Sequence, residues 1–253
     1  MREAIIDSIR NTVADRNRTG QAWWREPLIG FAAASDPLFA RLKTVIGPSH
    51  ALPEELLSGA QTVVAYFLPF ASAIVSENAA DGPSSPSWAR AYIETNRLIA
   101  QINQRVHEFL AEGGYESTLI PATHNFNEER LVSDWSHKHV AYIAGLGTFG
   151  VHTNLITEAG CAGRVGSLVT TANITADPRA ETERCLTRDG RKCMKCAARC
   201  PKQALSADSF DRHRCYEQCL ENAALYQDMG RADVCGKCIS RVPCALRTPT
   251  RKT

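Results

Sequence analysis

Cys193-Met-Lys-Cys196-Ala-Ala-Arg-Cys200-Pro201 is the stretch on which the reading of this chain turns. Thiols separated by two and then three residues, with proline after the last, form the end of the C-x2-C-x2-C-x3-C-P run that holds [4Fe–4S] clusters. The short spacers aim the loop's amides at the sulfurs of the cube, and the proline ends the segment. The first position of the run falls on Gly190, and Cys185, five residues upstream, takes its place. Zinc also accepts four-thiolate sites built from C-x2-C pairs, but a C-x2-C-x3-C-P run is less typical of it.

A second set follows in Cys215, Cys235-Gly-Lys-Cys238 and Cys244, the last preceded by Pro243. Eight ligands then divide between two cubes. If the motifs cross as they do in two-cluster ferredoxins, Cys185, Cys193, Cys196 and Cys244 hold one cluster and Cys200, Cys215, Cys235 and Cys238 the other. Two cysteines remain. Cys219 reads as a spare thiol on the helix of Cys215, with an alternate-ligand role as the other option. Cys161, between Gly160 and Gly163, reads as a small buried residue.

The distribution of the ten cysteines favours metal binding over a disulfide scaffold. None precedes Cys161, and nine lie between Cys185 and Cys244. A secreted disulfide protein spreads its cysteines and carries a signal peptide. Met1 to Arg10 instead mixes charges into an amphipathic pattern. The strongest apolar run, Val63 to Phe70, is broken by Pro69 and is too short to span a bilayer. The expectation is a cytoplasmic protein with no membrane partner.

Charge is uneven. From Glu183 onward there are 15 Lys and Arg against 8 Asp and Glu, a surplus of +7, while the whole chain carries +2 and the remainder therefore −5. Basic stretches contact nucleic acid or acidic partners. The plainer reading is that Lys and Arg offset the negative charge of thiolate-bound clusters.

Upstream, the pattern alternates helix and strand. Ile5, Ile6, Ile9 and Val13 have helical spacing. Leu28 to Ala34 reads as a strand closed by Asp36-Pro37, and Leu52-Pro53-Glu54-Glu55 starts a short helix. Thr62 to Leu68 reads as a buried strand ended by Pro69. Asp81 to Ser87 reads as a serine–proline loop. Ile99, Ile102, Val106, Phe109 and Leu110 share one helical face, stopped by Gly113-Gly114. Tyr115 to Ile120 is expected as a strand, Ser133 to Ala144 as a helix, and Arg164 to Ile174 as a strand. This predicts an α+β protein, with an α/β domain over residues 1–182 and a cysteine-rich, metal-organised domain over 183–253.

Gly145-Leu-Gly147-Thr-Phe-Gly150 matches the dinucleotide fingerprint G-x-G-x-x-G. It follows an expected helix rather than a strand, and the position twenty residues on is Thr170, with no acidic neighbour, so a Rossmann reading is rejected. The glycines still let the backbone approach something closely, a flat cofactor being one candidate.

With these features assembled, the chain resembles the epoxyqueuosine reductase-like family of iron–sulfur proteins. The resemblance rests on Trp135-Ser-His-Lys-His-Val-Ala-Tyr-Ile-Ala-Gly-Leu-Gly-Thr-Phe-Gly150, on Gly163-Arg-Val-Gly-Ser-Leu-Val-Thr170, and on the two cysteine sets. It implies a nitroreductase-like α/β domain, a ferredoxin-like domain with two [4Fe–4S] clusters, and a cobalamin held between them. It further implies that Gly145, Gly147, Thr148, Phe149, Gly150, His152, Thr153 and Asn154, with Arg164, Gly166 and Ser167, line the corrin site. There are departures. The family's acidic proton donor falls at Leu131, with Asp134 three residues away, and the lysine usual after the last glycine is Val151. Nor is a repeat domain for RNA expected after Cys244.

The resemblance therefore suggests a relative with the same electron-handling parts and a different substrate, a small molecule or a modified nucleoside. Asp134, His137 and His139 are the candidate proton donors, since His and Asp complete two-electron reductions. His152 also stands close to the loop. A ferredoxin or flavodoxin is the expected electron donor, and nucleic acid is not favoured as a partner. Two other functions compete with a reductase: an electron-transfer or corrinoid-activating protein without substrate turnover, and a cobalamin-binding module. An α/β domain of some 180 residues argues against a simple carrier.

Overall fold

The computed structural model describes residues 1–249; Thr250 to Thr253, the end of the expected second domain, lie outside the described residues. In chain order the elements are α1 (Arg2–Arg18), β1 (Leu28–Ala33), α2 (Pro37–Val45), α3 (Pro53–Leu56), β2 (Thr62–Pro69), α4 (Ser72–Glu77) and α5 (Pro86–Glu112). There follow β3 (Phe126–Asn127), β4 (Val132–Ser133), α6 (His137–Ile143), β5 (Thr148–Phe149), β6 (Leu155–Ile156) and β7 (Gly163–Thr170). The cysteine-rich part contributes α7 (Lys195–Ala198), α8 (Arg212–Leu225) and 3-10 turns at Gln227–Met229 and Lys237–Ile239.

Strand β2 organises the molecule. It pairs antiparallel with β1 on one side and β7 on the other, and all eight of its residues are buried. Because side chains alternate across a strand, its unbroken apolar run feeds two cores. Val64, Tyr66 and Leu68 join Ile5, Ile9, Ile99, Ile102 and Val106 from α1 and α5. Val63, Ala65 and Phe67 join Phe39, Trp135, Val140 and Ala141 from α2, α6 and the segment before α6. A strand covered on both faces shows no polar alternation, and this one has none.

Four sequence expectations are corrected. Tyr115 to Ile120 forms no strand. It runs beside the end of β7 with a single bridge, Ser117 to Thr170. The Thr118 amide donates to the Val169 carbonyl at 2.9 Å and the Thr171 amide to the Glu116 carbonyl at 3.1 Å. Side chains supply the rest, Thr118 Oγ1 accepting from the Val169 amide at 2.9 Å and Thr170 Oγ1 donating to the Glu116 carbonyl at 2.8 Å. The loop expected over Asp81 to Ser87 ends early, since Ser85 caps the Trp88 amide at 3.2 Å and Pro86 suits the first helical turn of α5. The helix expected from Ser133 begins only at His137, because Ser133 pairs with Phe126 and Trp135 is turned into the second core. The strand expected to reach Ile174 stops at Thr170, whose hydroxyl takes the Ala172 amide and turns the chain.

The cysteine-rich region is not a free-standing unit. Cys185, Cys196, Ile239, Val242 and Ala245 belong to the same core as Ile5 and Trp88. Its seat is the segment following α4. Lys237, 3% exposed, donates to the Asn78 and Ala80 carbonyls at 3.1 and 2.8 Å, and Arg199 donates to Ala79 at 2.8 Å. Cations at a helix C-terminus complement its dipole. Asn78 in turn donates to the Cys235 carbonyl at 3.1 Å. On the other flank the Cys161 and Ala162 amides bond the Cys244 and Ala245 carbonyls at 2.9 and 3.0 Å, tying the last cysteine to the sheet.

Candidate metal centre

Nine of the ten thiols line two cavities. Cys185, Cys193, Cys196 and Cys244 line one small cavity with His152, Lys195, Val242 and Pro243. Cys200, Cys215, Cys235 and Cys238 line a second, of about 410 Å³, together with Cys219. Both Cys-x-x-Cys turns have the same backbone. The residue after the first cysteine is left-handed, Met194 at φ +49° and Gly236 at φ +72°, and a helical turn follows. Such a reversal of handedness gathers amides into an anion-binding concavity. The Ala197 amide reaches the Cys196 sulfur, the Lys237 amide reaches Cys235, and the Ala204 amide donates to Cys200 Sγ at 3.2 Å.

Electrostatics explain what these thiols require. Burial pushes Cys196 and Cys235 up to about 11 and Cys238 well above the usual thiol range. Left alone they stay protonated, and only a bound cation makes ligating thiolates of them. A set that is nearly all sulfur suits soft metal centres, so the residues present fit iron–sulfur clusters. Two thiols move the other way: Cys244 is held down to about 5 by the Cys161 thiol and by His152, and Cys215 is lowered by the Cys219 thiol. His152 Nδ1 accepts from the Asn154 amide at 3.1 Å, which leaves Nε2–H to donate to Cys244 Sγ at 3.4 Å. Cys161 Sγ donates to the same sulfur at 3.8 Å. The ligating atoms of His152, Cys161 and Cys244 lie within 4.8 Å of one another.

The larger cavity lies between the cysteine-rich region and the sheet. Its far wall includes Phe70, Trp88, Tyr92, Lys138, Thr153, Asn154 and Arg164. Arg164 stacks its guanidinium 4.1 Å from the Tyr92 ring centroid, and Tyr92 donates to Asp233 at 2.7 Å. Lys138, on α6, donates to the Thr153 carbonyl at 3.0 Å. Burial lowers its pKa, and the nearby Arg212 adds to this, against the opposing pull of Cys215 and Cys238. Sequence reasoning passed over Lys138 in favour of the histidines beside it. The available signal was a lysine within the otherwise compact run Trp135 to Ile143.

The three expected proton donors lie elsewhere. His137 Nε2 donates to the Pro121 carbonyl at 2.8 Å and Nδ1 accepts from Ser167 Oγ at 2.8 Å, while that hydroxyl accepts from Trp135 Nε1 at 3.0 Å. His139 bonds Ser136 Oγ at 2.7 Å and packs on Phe149 at 4.8 Å. Asp134 accepts the Ala51 amide through its carbonyl. None of the three lines either thiol cavity.

Burial holds His137 at about 4 and His139 at about 3, below the ordinary 6.5. Both stay neutral in the fold while the unfolded chain takes up protons, so stability falls as pH drops from about 6.5 towards 4. Each histidine contributes a slope of up to about 1.4 kcal/mol per pH unit. Denaturant unfolding at stepped pH is expected to show this loss, with a shallower slope in His137→Asn.

Of the eleven residues implied for the corrin site, His152, Thr153, Asn154 and Arg164 line the larger cavity. The other seven pack against protein. Gly145, at φ +79°, faces the Pro178 carbonyl, Gly147 the Ile156 carbonyl, and Gly150 the His152 ring. Gly166 lies under the Tyr66 ring, Thr148 bonds Glu183 at 2.7 Å, Phe149 sits between His139 and Tyr142, and Ser167 serves Trp135 and His137. The residues present therefore fit a corrinoid along one edge only, and a volume of 410 Å³ is that of a drug-sized ligand pocket. A methyl group at Gly147 collides with backbone. Gly147→Ala is expected to lower stability by about 1–3 kcal/mol, read as a fall in melting temperature.

No family model matches the chain, and no curated protein matches it. Solved structures do. Epoxyqueuosine reductase from Bacillus subtilis superposes with a TM-score of 0.57 at 16% identity, over 97% of this chain and 68% of that one. The enzyme from Streptococcus thermophilus gives 0.53 at 15%, over 96% and 68%. A catabolic reductive dehalogenase gives 0.59 at 18%, over 88% of this chain and 30% of its own length. The chain thus has the fold shared by epoxyqueuosine reductases and reductive dehalogenases. No helix among the described residues is long and apolar enough to cross a membrane.

Proposed function

We propose that the chain is an iron–sulfur oxidoreductase related to the epoxyqueuosine reductases. In this reading one [4Fe–4S] cluster is held by Cys185, Cys193, Cys196 and Cys244 and a second by Cys200, Cys215, Cys235 and Cys238. The observation that carries it is the gathering of buried and half-buried thiols at two cavities, the larger of which opens towards residues of the α/β part. Electrons enter from a ferredoxin- or flavodoxin-like donor and leave to a group bound in that larger cavity. One structural neighbour was solved with an epoxyqueuosine-modified tRNA stem loop, and another is described in terms of B12-dependent dehalogenation. Cobalamin is accordingly the proposed acceptor, with an organic substrate beyond it; His152, Thr153, Asn154 and Arg164 would hold its edge, and it would supply reducing power to that substrate.

This chain's own residues would bind and protonate. Arg164 and Lys138 place positive charge on the cavity wall, which suits an anionic cluster and an anionic ligand alike. Lys138 Nζ, its pKa lowered by burial, is the side chain best set to deliver a proton there, ahead of Asp134, His137 and His139. Anaerobic reconstitution with iron and sulfide, followed by cobalamin titration, tests the reading. About eight irons per chain and a saturable shift of cobalt to its base-off spectrum support it. Eight irons without corrinoid binding leave an electron carrier. Zinc in place of iron, seated at the His152, Cys161 and Cys244 triad, overturns it.

A further inference from the structure

Four buried side-chain polar atoms among the described residues have no hydrogen-bond partner, and two of them, Trp88 Nε1 and Arg164 Nε, belong to residues lining the larger thiol cavity. Trp88 is only 1% exposed. A buried donor without an acceptor is costly, and in a native protein it signals a group that completes it. The indole is held firmly. Phe70 packs edge-on at 4.9 Å, and the Trp88 amide is capped by Ser85 at the start of α5. Its ring lies directly over Gly236, in the turn between Cys235 and Cys238. A Cβ on Gly236 would collide with the indole, Nε1 included. Gly236 also needs its positive φ, so both the turn and the approach of the ring exclude any larger residue.

Two oxygen acceptors on the cavity wall are already engaged. Asp233 takes Tyr92 and Arg231, and the Thr153 carbonyl takes Lys138. The sulfurs of Cys235 and Cys238 belong to the same turn over which the indole lies, and both residues line the cavity with it. We propose that the Trp88 indole N–H donates a hydrogen bond to sulfur of the second cluster, at the Cys235–Cys238 turn, and raises the reduction potential of that cluster. Reduction adds negative charge to the cube, and a donor aimed at its sulfur stabilises the reduced form more than the oxidised one. Trp88 is thus a tuning residue rather than a ligand. The inference rests on the cluster reading proposed above.

The test is Trp88→Phe, which keeps the ring but removes the N–H, studied by redox-titrated EPR of the reconstituted full chain alongside iron analysis. The expected result is unchanged iron, one of two couples moved to more negative potential by about tenfold in its reduction equilibrium (~59 mV for one electron), and the other couple unmoved. Unchanged iron with both couples unmoved overturns the inference and leaves the cluster reading standing. Absence of iron in the wild-type chain defeats the cluster reading itself. A second measurement does not depend on the variant folding. With 15N-indole tryptophan in the wild-type chain, pulsed EPR of the reduced protein is expected to show a coupling to one tryptophan nitrogen and an exchangeable proton. Neither coupling being present also overturns the inference.

Discussion

Replacing Cys238 by alanine is expected to cut the iron of the reconstituted chain from about eight to about four atoms and to erase one of two reduced-cluster EPR signals. Cys238 is the thiol most enclosed by its own set. Burial pushes its pKa well up, with Cys235, Cys215 and Cys200 adding to the effect. It stands on the short turn Lys237–Ile239, whose buried lysine is tied to Asn78 and Ala80, so no neighbouring thiol can swing into its place. Cys215 is different. Cys219 follows one turn later on α8, the two thiols share a hydrogen bond, and both line the cavity. Loss of Cys215 is therefore the milder change. Cys161→Ser is the contrasting control and is expected to leave iron at about eight. Iron unaffected by Cys238→Ala would remove that residue from the ligand set, whereas complete loss of iron would show that the two sets assemble as one.

Removing the iron is expected to unfold the cysteine-rich region while the sheet survives. After residue 183 the described chain has no paired strands beyond one bridge, Leu205 to Phe210. Helix α8, fourteen residues long, buries only Asn222, and α7 is a single turn. So little apolar burial cannot offset the entropy of ordering some seventy residues. In such a region the free energy of metal binding is the free energy of folding. Strand β2 has its own two cores, built from α1 and α5 on one side and α2 and α6 on the other. Hydrogen exchange before and after anaerobic chelation measures this. Amides of 185–200 and 235–245 should lose protection, the 78–84 seat should loosen with them, and 62–69 should stay protected. Equal protection in both states would show that side-chain packing, not metal, holds the region.

Legibility in the sequence followed the range of the interactions. The face of α5, the apolar run of β2 and the short spacing of the cysteines are local patterns with one physical reading each. Tyr115 to Ile120 failed because it pairs with the end of β7 through one bridge and a mixture of backbone and threonine hydroxyl bonds, which sequence periodicity does not report. His137 and His139 drew attention as titratable groups near a glycine loop, yet Pro121, Ser167 and Ser136 occupy them. Gly145 and Gly147 suggested room for a ligand, and the room is taken by the Pro178 and Ile156 carbonyls. Lys138 was invisible for the opposite reason, since only the fold turns it to the cavity.

By itself the sequence carried the spacing of a thiol metal site and the pattern of an α+β layer, because thiol spacing and apolar period are properties of neighbouring residues. Tertiary structure decided the rest. It brings Cys161 and His152 to Cys244, sets Trp88 against the Gly236 turn, and gives the second thiol set a wall from the sheet side. Each of these contacts joins residues that long stretches of chain separate, and their approach depends on how β2 stacks its two cores rather than on any local preference.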